Sequence, residues 1–259
     1  MTASDGKVWL GVQDSVAHIT FDRPGARNAL SWSMYEQLLA LLPELDPSTG
    51  VRVAVLRGAS GTFISGTDIA HFRNFAGDED GVEYERRLDD VIARVEAVRI
   101  PTLAVIEGFA TGGGLAIAAA CDLRICTPDA RFGAPIARTV GNCLSIANTA
   151  RLLAHLGPAR TKAMLLLAQF INAADAKNAG FVLDVVEPSA IDECVAALCE
   201  RLATHAPITM QVTKETVRRI VAATAGQGED LVRLAYGSRD FREGVTAFLE
   251  KRTPRFQGE

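Results

Sequence analysis

The chain has 259 residues, 48% of them hydrophobic, and a formal net charge of −4. That length suits one large domain, or a core with an appendage, and the apolar share can fill a sizeable core. The negative balance argues against nucleic acid as the main partner, and no apolar run is long enough to span a bilayer.

Residues 1–7 are polar and lack a secretory signal pattern. Runs 8–12 and 16–21 read as a hairpin around Gln13 and Asp14. Ser31 reads as the N-cap of a helix through Leu42, which Pro43 helps to end. The short apolar run 51–56 suits a sheet buried on both faces. Stretch 72–81, with its Gly77-Asp78-Glu79-Asp80 tip, reads as a mobile lid or pocket rim, or as an acidic surface loop. Residues 82–98 carry apolar side chains at helical spacing, at Leu88, Val91, Ile92, Val95 and Val98. The charges Glu83, Glu85, Arg86 and Arg87 are expected on its solvated face. A strand at 102–106 and a small apolar helix at 112–120 follow. From Leu144 onward the chain reads as mostly helical: 159–168, 172–179, 191–205, 207–223, 229–236 and 238–251, with a short strand at 182–186.

Cys121, Cys126, Cys143, Cys194 and Cys199 form no CxxC pair. An odd count without ligand spacing points to reduced, buried thiols in a cytoplasmic protein. His18, His71, His155 and His205 are scattered, so no metal site is expected.

Two glycine-centred segments carry the most information. They are Phe63-Ile64-Ser65-Gly66-Thr67-Asp68-Ile69 and Gly108-Phe109-Ala110-Thr111-Gly112-Gly113-Gly114, each following an apolar strand-like run. Glycine lets a backbone turn sharply and approach a ligand closely. The second segment opens a helix, whose first N–H groups lack partners. Two such loops side by side could aim two N–H donors at one oxygen, which is how an oxyanion hole is built.

These segments resemble the crotonase (enoyl-CoA hydratase/isomerase) superfamily. The resemblance also covers the run from Phe21 to Leu30, Ala120 to Ile125, Phe132-Gly133 and Glu243 to Arg252. It implies an α/β fold: a spiral of repeated ββα units over residues 1–200, then a helical, CoA-contacting and oligomerising region over 201–259. Homotrimers or homohexamers are implied, with an acyl-CoA substrate, no separate cofactor, and a place in fatty acid metabolism. The oxyanion donors would be the N–H groups of Thr67 and Gly113. CoA contacts would fall at Ala26, Arg27, Ser65, Gly66, Asp68, Ile69, Phe248 and Lys251. A lysine usual in the family after the Asp-Ile pair is Ala70 in this chain.

A hydratase of this family positions water between two glutamates. The matching positions are Ala116 and Ile136, and neither side chain can carry a proton. The neighbouring stretch offers Arg138, Thr139, Asn142, Cys143 and Ser145. Arg138 could hold a substrate carboxylate by a bidentate pair, or form a surface salt bridge. Asn142 could donate to a substrate oxygen or cap a turn. Asp122 is expected to be structural, and Asp68 to shape its loop. Tyr84 or Arg87 could reach substrate. Three functions remain open. One is a lyase or isomerase that forms a thioester enolate without the two glutamates, for instance by decarboxylation. The second is a hydratase with another acid or base, from Glu83, Glu85 or Glu107. The third is a non-catalytic acyl-CoA binder.

Overall fold

The computed structural model describes residues 5–258; the first four residues of the polar start lie outside it. Two strands, β1 (Lys7–Gln13) and β2 (Val16–Asp22), pair as an antiparallel hairpin. The turn falls on Asp14 and Ser15, both at positive φ, the backbone of a two-residue turn matched to strand twist. Ser31 caps α1 (Trp32–Leu41) by accepting from the Met34 N–H. After β3 (Val53–Gly58) comes a short 3-10 segment, then α2 (Asp78–Glu96).

The expected acidic loop at 77–80 is instead the first turn of α2. Asp80 accepts from the Ala76 and Gly77 N–H groups, and its charge opposes the positive end of the helix. Phe72 and Phe75 pack against Tyr84, Tyr236 and Phe241. That cluster anchors the stretch before the helix rather than leaving it as a lid.

Next come β4 (Thr102–Ile106), β5 (Phe109–Thr111), α3 (Gly113–Ala120), β6 (Leu123–Cys126) and β7 (Arg131–Gly133). From β4 to β7 successive strands alternate between two sheets. The larger runs β1-β2-β3-β4-β6-β9 and the smaller β5-β7-β8, with β8 at Ile171–Asn172 and β9 at Asp184–Val185. From β2 to β9 the larger sheet is parallel. This alternation is the expected ββα spiral.

Every residue of β4 is buried, because both sheet faces are covered. Leu56, Ala104 and Ile106 face the main core. Val53, Val55, Leu103 and Val105 face a second cluster with Ile191, Val195 and Cys199. Those three belong to α6 (Ile191–Thr204), which runs unbroken through the 200/201 boundary expected from sequence.

Before it, α4 (Ile146–Leu166) starts thirteen residues earlier than expected, capped by Ser145 and kinked at Gly157-Pro158. The short α5 (Ala173–Asn178) follows β8. The chain ends in α7 (Pro207–Thr224), α8 (Glu229–Tyr236) and α9 (Arg239–Leu249).

Asp122 is structural, as expected. Its Oδ2 accepts from the Thr102 N–H (2.7 Å) and hydroxyl (2.9 Å) and from Lys214 Nζ (2.5 Å). It thereby ties α7 to the start of β4. Asp122→Ala would leave a largely buried ammonium without its counter-charge, and should cost about 3 kcal/mol in urea unfolding.

Candidate active site

The loop after β3 lies beside the turn from β5 into α3. Ile64 bridges Ala110 and Leu30 bridges Thr67, both in parallel sense. Asp68 N–H donates to Leu30 O (2.9 Å) and Leu30 N–H to Gly66 O (2.9 Å), a register that skips the Thr67 N–H. Gly113 is the first residue of α3, so its N–H has no acceptor inside the helix. Among the described residues no hydrogen bond accounts for either N–H.

Glycine is what allows this approach. A Cβ at Gly113 would overlap the Tyr35 hydroxyl and come within 2.6 Å of Thr67 Oγ1. Tyr35 and Thr67 are themselves hydrogen-bonded through their hydroxyls at 2.7 Å. Gly112, at φ +51°, makes the turn into the helix.

A cavity of about 480 Å³ opens against these groups. It is lined by Thr67 and Gly113, and also by Ala116 and Ile136, the positions at which the sequence resemblance expects a hydratase's acids. Ala26, Arg27, Ser65, Gly66, Asp68, Ile69 and Phe248 border it as well. Asn142 and Tyr84 are in the wall, whereas Arg138 and Lys251 are exposed and outside the lining. Arg87 lies over the Trp32 ring and is also outside. Cys143 is no nucleophile in waiting, since burial pushes its thiol up to about 12. Among the described residues no cluster of three His, Cys, Asp or Glu side chains could hold a metal ion.

Of the three acid candidates outside the usual positions, two are engaged elsewhere. Glu83 pairs with Arg86 at the surface, and Glu107 Oε2 lies 2.6 Å from Arg57 Nε, away from the cavity.

Glu85 is the exception, and its expected place on a solvated face is wrong. It is 3% exposed and lines the cavity. Its Oε1 accepts from the Tyr236 hydroxyl (2.6 Å) and its Oε2 from the Ser145 N–H (3.0 Å). Gly81, one turn earlier on α2, makes room for the Tyr236 ring, which a Cβ there would overlap. Asn142 Nδ2 donates in turn to the Tyr236 hydroxyl (3.3 Å). Ser145 is held by Asp89, which accepts from its hydroxyl (2.6 Å) and from Asn148 Nδ2 (2.9 Å). Sequence reasoning named Glu85 among three acid candidates but missed its burial, although the signal for it was present. Positions 85, 88, 92 and 95 form one stripe, so the apolar face that begins at Leu88 extends back onto Glu85.

The other cavity carboxyl is Asp68. Arg23 Nη2 sits 2.8 Å from its Oδ2, and its Oδ1 accepts from the Ala70 N–H (3.0 Å), so it shapes the loop as expected.

Residues 11–259 match the enoyl-CoA hydratase/isomerase family, and the chain belongs to it. It is 34% identical over 258 residues to the mitochondrial enoyl-CoA hydratase domain-containing protein 2 of Bos taurus, covering 96% of this chain and 86% of that protein. It is 32% identical over 250 residues to the 2,3-dehydroadipyl-CoA hydratase of Escherichia coli, covering 95% and 96%. Among solved structures, methylmalonyl-CoA decarboxylase in complex with 2-nitronate-propionyl-CoA aligns with a TM-score of 0.89 at 26% identity, over 97% of this chain and 98% of that one. An enoyl-CoA hydratase/carnithine racemase from Magnetospirillum magneticum aligns at 0.79 and 29% identity, over 98% of each chain. The protein is thus an acyl-CoA-processing enzyme of this family with the crotonase fold. No helix among the described residues is long and apolar enough to cross a membrane.

Burial holds the Glu85 carboxyl at about 7, against an ordinary 4.5; nearby Asp89 adds to this, and the Tyr236 and Ser145 hydrogen bonds oppose it. The folded protein therefore keeps a proton that the unfolded chain releases between those values. This group's contribution to stability is complete below about pH 4.5 and is lost as the pH rises to about 7. Glu85→Gln should remove that dependence. Relative to the native protein it should gain on the order of 3 kcal/mol between about pH 4 and about pH 8, read by urea unfolding at each pH.

Proposed function

We propose that this protein processes an acyl-CoA thioester through a thioester enolate whose oxygen is held by the N–H groups of Thr67 and Gly113, without the two-glutamate hydration route. The observation that carries this reading is the pair of unmatched main-chain donors bordering one cavity. Donors fixed in advance stabilise charge as it develops, and they cost no reorganisation during reaction. The dipole of α3 adds to them.

Pantetheine would pass between the Ala26-Arg27 turn and the segment from Ser65 to Ile69, all of which border the cavity. Phe248 would close the C-terminal side, and Lys251 would meet a phosphate from the rim. With apolar Ala116 and Ile136 in the wall, water has no carboxylate pair to activate it there. The reaction is therefore of the lyase or isomerase kind.

Oligomerisation into a trimer or hexamer is part of the same reading. No residue of α7 is buried within the protomer. Ile208, Val212, Val217 and Ile220 of that helix are exposed, a patch suited to a partner subunit. The five free cysteines suit a reducing compartment such as the cytoplasm.

A second reading is decarboxylation of a malonyl-type thioester, favoured by the close structural match to methylmalonyl-CoA decarboxylase. Loss of carbon dioxide forms the enolate without a base. Asn142 would then orient the carboxylate, because Arg138 lies outside the cavity lining. Release of carbon dioxide from methylmalonyl-CoA would select this reading.

The decisive substitution is Thr67→Pro, which deletes one donor. Exchange of the α-hydrogens of hexanoyl-CoA with deuterium oxide should slow about 100-fold or more, while binding is retained. Thr67→Val keeps the N–H and should exchange far faster than the Pro variant. Equal exchange by native and Pro proteins would exclude the proposed hole. The native protein should also leave the absorbance of trans-2-butenoyl-CoA unchanged, and the double variant Ala116→Glu, Ile136→Glu should bleach it.

A further inference from the structure

We infer that Glu85 is the catalytic acid/base of this cavity, standing on α2 in place of the absent carboxylates at 116 and 136, and that Tyr236 is its positioning residue. The inference rests on the reading above, that the cavity binds an acyl-CoA thioester with its oxygen at Thr67 and Gly113.

Three observations support it. Asp68 and Glu85 are the carboxyl side chains among the described lining residues, and Asp68 is neutralised by Arg23 at 2.8 Å. Among the described residues no lysine or arginine pairs with Glu85. A carboxylate buried without a counter-ion is costly in a purely structural role, and such groups mark sites of proton transfer. Finally, its two oxygens are fixed from two different elements, by the Tyr236 hydroxyl of α8 and the Ser145 N–H ahead of α4. A single orientation of the carboxyl in the cavity wall is thereby held.

None of the groups facing Glu85 is a cation. On α2 they are Asp89 and Tyr84, from α8 Tyr236, from α1 Tyr35, and from the segment before α4 Cys143. Asp89 is negative and the others are neutral groups that burial keeps protonated. The nearest compensation is Arg151, which acts on Asp89 and is itself paired with Glu96 at 3.0 Å. Burial therefore places the carboxyl at about 7, where it can both take and return a proton near neutrality.

The step balances without a co-reactant. The Glu85 carboxylate takes a proton from the carbon next to the thioester carbonyl. That C–H bond breaks and an O–H bond forms on Glu85. The released pair forms a carbon–carbon double bond, and the carbonyl π pair moves to the oxygen as the enolate. In deuterium oxide the new Glu85 O–H trades its proton for a solvent deuteron, and delivery of that deuteron to the original carbon gives hydrogen exchange. In a 3-enoyl thioester, delivery to the far end of the conjugated system moves the double bond to the 2-position. The chemical class of reaction is thus a one-carboxylate double-bond isomerisation.

The test uses hexanoyl-CoA in deuterium oxide, with binding measured by calorimetry on the same samples. Exchange by the native protein should rise with pH to a plateau, with a midpoint at about 7. Glu85→Gln, whose folding is checked by its unfolding temperature, should slow exchange about 100-fold or more while the dissociation constant stays within about threefold. Tyr236→Phe should still exchange, with its midpoint moved to higher pH, because it loses a hydrogen bond that favours the charged carboxylate. A merely structural role would not move that midpoint. Exchange by the Gln variant within about threefold of native would overturn the role of Glu85 and leave the thioester site standing. Binding without exchange in the native protein would overturn it too. Failure of the native protein to bind hexanoyl-CoA would overturn the underlying reading, and this inference with it.

Discussion

The site depends on the contact of two main chains where no side chain intervenes. At Gly113 and Gly114 a Cβ would overlap the Tyr35 hydroxyl and the Ile64 carbonyl oxygen, respectively. Only without those atoms can the start of α3 close on the loop through Thr67. The rest of the local architecture serves that approach. The sheet positions β4 and hence β5, Tyr35 fixes Thr67 from α1, and Arg23 pins Asp68 just beyond it. Arg124 holds the other end of α3, donating to the carbonyls of Ala118 and Cys121.

The opposite wall is built by a different principle. There α2, α8 and the start of α4 meet through a polar network set beside their apolar and aromatic packing. Buried polar groups are stabilising only when each finds a partner. Here Glu85, Tyr236, Ser145, Asp89, Asn148 and Arg151 are connected in sequence. One atom stands outside that accounting: Asn142 Oδ1 is buried and has no hydrogen-bond partner, while its amide nitrogen is used. A carbonyl-type acceptor in a cavity wall is a natural contact for a donor on a bound molecule.

Much of the fold was legible in the sequence, because it rests on local signals. The Ser31 cap, the apolar period of α2 and the fully apolar β4 each belong to one segment. The loop at 77–80 was misread because acidic residues beside glycine suit both a surface turn and the first turn of a helix. Only the capping by Asp80 and the pairing of Asp78 and Glu79 with Arg233 distinguish the two. The glycine loops were legible as a pattern, whereas their mutual approach is a matter of tertiary geometry. The burial of Glu85 was hidden for another reason. A charged side chain is expected to face water, and what buries it is Tyr236, 151 residues further along the chain.

The donors proposed for the thioester oxygen belong to the main chain, whereas proton transfer depends on side chains carried by other elements. These two parts can therefore change independently over evolutionary time. A lineage can lose or relocate its acid by single substitutions while the cradle for the acyl group persists, since no substitution at 85, 116 or 136 alters an amide at 67 or 113. Such a scaffold can diversify in reaction type without passing through a form unable to hold its ligand.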